Sequence, residues 1–122
     1  MSYQLLDEDQ GLVFRFSGNV NYGEITIANQ KGWEHPGWDK HQYQIWDFCN
    51  AKQLDASELE AKMTASMDKV HTQRTRPMKF ALVSDNEQII KLLEVYVAIS
   101  EGENMEAQIF TDEASARDWI SV

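Results

Sequence analysis

Apolar positions recur along this chain every second residue in some segments and every third or fourth in others, and the spacing switches repeatedly. Period two marks a strand and a period near 3.6 marks a helix. Residues 3–7 and 12–17 read as two strands, joined by Asp9, Gln10 and Gly11, which supply the chemistry of a tight hairpin turn. Asn21 and Glu24 stand at the spacing of an N-cap and its N3 partner, and predict a first helix carrying Tyr22, Ile25 and Ala28. Gly32 and the turn His35-Pro36-Gly37 close it. Residues 43–48 form an aromatic-rich strand around Ile45. Ser57, Glu58, Leu59 and Glu60 spell a capping box, opening a second helix whose Leu59, Met63, Met67 and Val70 share one face.

The unbroken apolar run at 78–84 predicts a strand buried on both faces. Ser84 or Asp85 then caps a third helix over about 87–100. Residues 106–110 are the last strand, and Thr111 or Asp112 caps a final helix carrying Ala116, Trp119 and Ile120. Strands alternating with helices in this way define one α/β domain over residues 1–122. Its sheet is mainly parallel, of about five strands covered by about four helices, and the hairpin makes the first strand antiparallel.

Three stretches add a resemblance to this pattern. They are Ile45-Trp46-Asp47, then Lys79-Phe80-Ala81-Leu82-Val83-Ser84-Asp85, then the closing strand and helix from Ile109 through Ala116, Trp119 and Ile120. Together with the element order, they resemble the SpoIIAA-like family of small bacterial proteins, related to STAS domains and to CRAL-TRIO lipid-transfer domains. The resemblance spans nearly the whole chain. It implies a non-enzymatic regulatory role exercised by binding a protein partner, without a cofactor. Anti-sigma-factor antagonists of this fold carry a phosphorylatable serine in an Asp-Ser-Ser-Gly turn. Asp55-Ala56-Ser57-Glu58 occupies the similar place here, with Ser57 matching the modified serine. Glu58 replaces the glycine and Ala56 the first serine, and a neighbouring carboxylate opposes a phosphate. Read from the residues alone, Ser57 is an N-cap worth about 1 kcal/mol.

Charge narrows the partners. The net charge of −9, from 20 acidic and 11 basic residues, repels phosphate backbones and disfavours nucleic acid and anionic lipid surfaces. One stretch, residues 69–79, runs the other way, with Lys69, His71, Arg74, Arg76, Lys79 and no acid. No apolar run approaches the ~20 residues that span a bilayer. The first residues lack the basic and apolar regions of a signal peptide, and the lone Cys49 agrees with a reducing compartment, so cytoplasm is the expected location.

The candidate chemistry is sparse. Asp47, Asp55, Asp85 and Asp112 are expected just beyond the carboxyl ends of strands, where open α/β sheets hold ligands and where helix caps also need short polar residues. No glycine-rich phosphate loop, GxSxG or HExxH accompanies them. His35 and His41 lack a third soft ligand close in sequence, and Cys49 lacks an orienting partner, so neither a metal nor a catalytic site is expected. Trp33, Trp38, Tyr43 and Trp46 crowd around one loop; they are core residues, or else an apolar pocket or partner surface. Around the third helix, Ile89, Ile90, Leu92, Leu93, Val95, Tyr96, Val97 and Ile99 fill an arc too wide for one sheet face. A neighbouring element covers the excess, or another molecule does; for a homodimer, Ile90 and Val97 are the candidate interface. The leading expectation is a self-associating protein-interaction module. The rival is a carrier or sensor of a small apolar ligand.

Overall fold

In a computed structural model, which describes residues 3–73 and 77–121, the hairpin comes first. Strand β1 (Tyr3–Glu8) pairs antiparallel with β2 (Gly11–Asn21), whose next neighbour is β3 (Tyr43–Asp55). Strands β4 (Met78–Val83) and β5 (Met105–Phe110) complete a five-stranded sheet in the order β1-β2-β3-β4-β5, with every pairing after the first parallel. The crossovers are α1 (Tyr22–Glu34), α2 (Glu58–His71) and α3 (Glu87–Ser100), and α4 (Glu113–Ile120) follows β5. The fold is therefore the α/β sheet expected from the alternation of periods.

Strands β2 and β3 run longer than the period-two segments that announce them. β4 pairs β3 only over Tyr43 to Asp47, while β2 and β3 stay paired as far as Asn21 and Asp55. Register shifts fall between Arg15 and Ser17 and between Gly18 and Asn19, and Gly18 takes a positive φ of 70°. Bulges of this kind break the alternation of side chains, which hides the strand from a periodic reading. Asp47 consequently lies within β3 rather than beyond its end.

The caps are local chemistry. Asn21 accepts from the Glu24 amide at 2.9 Å, and Asp112 accepts from the Ser115 amide at 2.8 Å. Helix α3 is capped by Asn86, not by Ser84 or Asp85: its Oδ1 accepts from the amides of Gln88 and Ile89. Ser84 is fully buried and receives the Asn86 amide instead, one step before the helix.

Two cores flank the sheet. On one face Phe14, Phe16, Trp46, Phe80 and Leu82 meet Ile25 and Ala28 of α1 and Ile89, Leu92, Leu93 and Tyr96 of α3. On the other, Val13, Ile45, Ala81 and Val83 are covered by α4 through Ala116, with Trp119 and Ile120 at its edge. Helix α2 packs on other helices more than on the sheet. It lies mainly against α3 and touches α1, so the neighbour that covers the wide apolar arc of α3 is α2, rather than α1 or α4.

Candidate functional site

Helix α2 turns its periodic face to solvent. Leu59, Met63, Met67 and Val70 are 67%, 51%, 47% and 63% exposed, whereas the residues it buries are Ala65 and Asp68. Ser57 holds the helix start through a complete capping box: the Glu60 amide donates to Ser57 Oγ at 3.1 Å, and the Ser57 amide donates to Glu60 Oε1 at 2.8 Å. A helix can keep an apolar stripe outward only if something else fixes it inward. Here that anchor is a carboxylate.

Asp68 is 2% exposed and draws donors from two other helices. Tyr96 of α3 donates its hydroxyl at 2.5 Å, Trp33 of α1 donates its indole N–H at 3.0 Å, and Asn29 of α1 donates as well. Burial pushes the Asp68 carboxyl up to about 6, while the bonds from Tyr96, Trp33 and Asn29 and the nearby His71 pull it back. The same burial, with the Asp68 charge behind it, raises the Tyr96 phenol well above its ordinary value. Trp33 also stacks on His71, ring centroids 3.7 Å apart and 2° from parallel. One carboxylate thus joins α1, α2 and α3.

Between these helices and the sheet lies a narrow cavity of about 60 Å³, almost wholly apolar, walled by Tyr22, Ile25, Trp46, Leu54, Leu93 and Tyr96 and roofed by Ala61 and Thr64 of α2. The aromatic candidates are dispersed about it. Trp46 is buried in the wall, stacked on Phe14 at 4.3 Å, with its indole N–H on Gln44 Oε1 at 2.8 Å. Trp33 reaches the Asp68 end, and Trp38 packs at the margin of the same core. Tyr43 lies on the opposite sheet face and donates to Glu8. Ile90 and Val97 of α3 are half-buried, Val97 against the main core, so the large exposed apolar side chains among the described residues belong to α2 and, with Ile27, to α1.

The titratable groups on the α4 face are spent on one another. Arg15 makes two bonds to Glu113, at 2.8 and 3.0 Å, and Arg117 makes two to Glu8, both 2.7 Å. Those partners hold both glutamates below their ordinary range, Glu113 at about 2. Asp47 is raised by burial and by Glu113. Burial, then Asp47, pushes the Cys49 thiol up to about 12, which leaves almost no thiolate at neutral pH.

Folding does bring a third metal-type ligand to the histidines. Ligand atoms of Asp7, His35 and His41 lie within 4.8 Å of one another. However, the Gly37 amide donates to His35 Nδ1 at 2.9 Å, so the proton of the neutral ring sits on Nε2 and points at Asp7 Oδ2, 3.0 Å away. Nε2 of His35 ties the loop to β1, and Nδ1 holds the loop's own turn. Of the basic stretch, Arg74 and Arg76 lie outside the described residues, and Lys79 is turned to the α4 side, donating to the Trp119 carbonyl at 3.0 Å.

The architecture is the SpoIIAA-like fold. The chain is similar to the anti-sigma factor antagonist SpoIIAA in its unphosphorylated form, with 14% identity, a TM-score of 0.63, and 98% of this chain and 97% of that one covered. The Bacillus cell fate determinant SpoIIAA in its phosphorylated form matches at 15% identity and a TM-score of 0.58, over 96% and 98% of the two chains. An uncharacterized DUF3478-family protein with a SpoIIAA-like fold from Shewanella loihica PV-4 matches at 16% identity and a TM-score of 0.56, over 97% and 91%. No protein-family model and no curated protein sequence matches the chain. Among the described residues, no helix is long and apolar enough to cross a membrane.

Proposed function

We propose that this domain is a non-enzymatic interaction module that presents the outward face of α2 to a protein partner. The observation that carries the reading is the stripe Leu59, Met63, Met67 and Val70, exposed on a helix whose inward anchor is polar. Monomers rarely leave such a patch bare, and methionine-rich surfaces adapt to the partners they meet. The charges clustered on the α4 face are paired with one another and Cys49 carries almost no thiolate, which is why no reaction is assigned to them. The fold's likeness to an anti-sigma factor antagonist favours regulation as the setting. A photo-crosslinking residue placed at Met63 in the native cell should capture a discrete protein adduct, and one placed at Ile90 should not. Adducts from position 90 alone would move the surface to α3 and end this reading.

The apolar cavity supports a second reading, a carrier or sensor of a small apolar molecule. Native mass spectrometry of protein taken from its own cell separates the two. A stoichiometric small-molecule adduct favours the carrier.

A further inference from the structure

The two ends of α2 are complementary to each other. Reflected about the helix midpoint, between Thr64 and Ala65, Leu59 falls on Val70, Glu60 on Lys69 and Glu58 on His71, while Met63 and Met67 lie on either side of the midpoint. The outer apolar positions meet each other, and the acids of the first turn meet the bases of the last. A surface with that symmetry is complementary to its own copy turned through 180°, the arrangement of a two-fold dimer.

We infer that α2 is a self-association face, on which α2 of a second copy packs antiparallel. The inference rests on the docking reading above and names the partner. Electrostatics favours this location. Two molecules of net charge −9 repel one another over most of their surfaces. From Ala61 to Gln73 the only acid is Asp68, which is buried, and the helix there carries Lys62 and Lys69. Antiparallel packing also sets the positive N-terminal end of each helix dipole beside the negative end of its mate. Four side chains about half to two-thirds exposed fall within the ~300–600 Å² of a large monomer patch, below the ~800 Å² per partner of a standard stable interface. The dimer is accordingly weak and forms only as concentration rises.

Sedimentation velocity over a concentration series should show the wild type passing from monomer to dimer, and Met63→Glu/Met67→Glu remaining a monomer with an unchanged circular dichroism melt. Orientation is read in a Cys49→Ser background by mild oxidation. Ser66→Cys lies near the two-fold axis and should cross-link to its own copy. Leu59→Cys residues stand about 16 Å apart along the antiparallel pair and should not. A wild type still monomeric at about 1 mM overturns the inference, and leaves the docking reading to the in-cell adduct at Met63. A dimer untouched by Met63→Glu/Met67→Glu, or cross-linking by Leu59→Cys in place of Ser66→Cys, overturns it as well.

Discussion

Helices α2 and α3 have the same length, 14 residues, and lie against each other, yet their faces are assigned in opposite ways. Helix α3 buries Ile89, Leu92, Leu93 and Tyr96 and shows its charges to water. Helix α2 buries Ala65 and Asp68 and shows Leu59, Met63, Met67 and Val70. Both sequences are amphipathic, so period alone does not distinguish them. What separates them is the occupant of the inward side. Helix α3 rests on the sheet and needs bulk there, while α2 rests on other helices above an apolar cavity, where small residues and one saturated carboxylate fit. The lesson is physical: an apolar stripe at helical spacing shows that something will cover it, and not that the same chain does.

The sharpest way to break this comparison is to truncate both helices at their apolar positions. Ile89→Ala should cost about 2–5 kcal/mol, because the side chain is fully buried and leaves a cavity behind. Met67→Ala, close to half exposed, should stay within about 0.5 kcal/mol. Urea denaturation of the two variants measures both. Equal losses would mean that α2 is covered within the monomer and that its exposed stripe is not real.

The pH dependence comes next in size. The folded Asp68 carboxyl, at about 6, lies above the ordinary aspartate value of 3.8. Its contribution to stability is therefore fully present below about pH 4 and lost as pH rises through about 6. Between pH 5 and pH 7 that amounts to a loss on the order of 1 kcal/mol. The low values of Glu113 and Glu8 act the other way, but only as pH falls below their unfolded range near 4.5, so they leave this window clear. Wild type measured by denaturant at pH 5 and 7 should show the loss, and Asp68→Asn should remove most of it, because Asp47, also raised by burial, acts in the same sense. A slope undiminished in Asp68→Asn would assign the titration to another group.

Much of this fold is legible in the sequence because local signals agree with the global one. The capping box at Ser57, the cap at Asn21 and the unbroken apolar run of β4 are each short-range chemistry read directly from neighbouring residues. The site is less legible because it is assembled from distant residues. Asp68 sits mid-helix among Met67, Lys69 and Val70, and looks like an ordinary solvated acid. Its donors, Tyr96 and Trp33, are 28 and 35 positions away. The one local hint is that Asp68 falls on the face opposite the apolar stripe, where Ala61 and Ala65 are small enough for another helix to approach. Trp33, Trp38, Tyr43 and Trp46 mislead in the other direction. Their crowding in sequence suggests one surface, but strand alternation and a turn send them to different places.

The smallest effect concerns where each helix begins. Ser57 caps α2 as Asn86 caps α3, and removing either side chain leaves helix-start amides without their acceptor, at a cost of about 1 kcal/mol. The consequences should differ in reach. Helix α3 is built into the core, so Asn86→Ala should lower the stability of the whole domain, visible in the global melt. Helix α2 is held by Asp68 and a helix–helix contact, so Ser57→Ala should be felt as local fraying. By native-state hydrogen exchange, Glu60 and Ala61 should lose about fivefold in protection while the β4 amides keep theirs. The same geometry bears on the likeness to a phosphorylated serine. The Glu60 carboxylate already receives the Ser57 amide at 2.8 Å, and Glu58 follows in sequence, so a phosphate on Ser57 would meet one carboxylate it must displace and another it must tolerate. Ser57 in protein isolated from its own cell should therefore be unmodified, and intact-mass measurement decides the point. A stoichiometric phosphate there would show that α2 is switched at its cap, and that the capping box is one of two states rather than a fixed support.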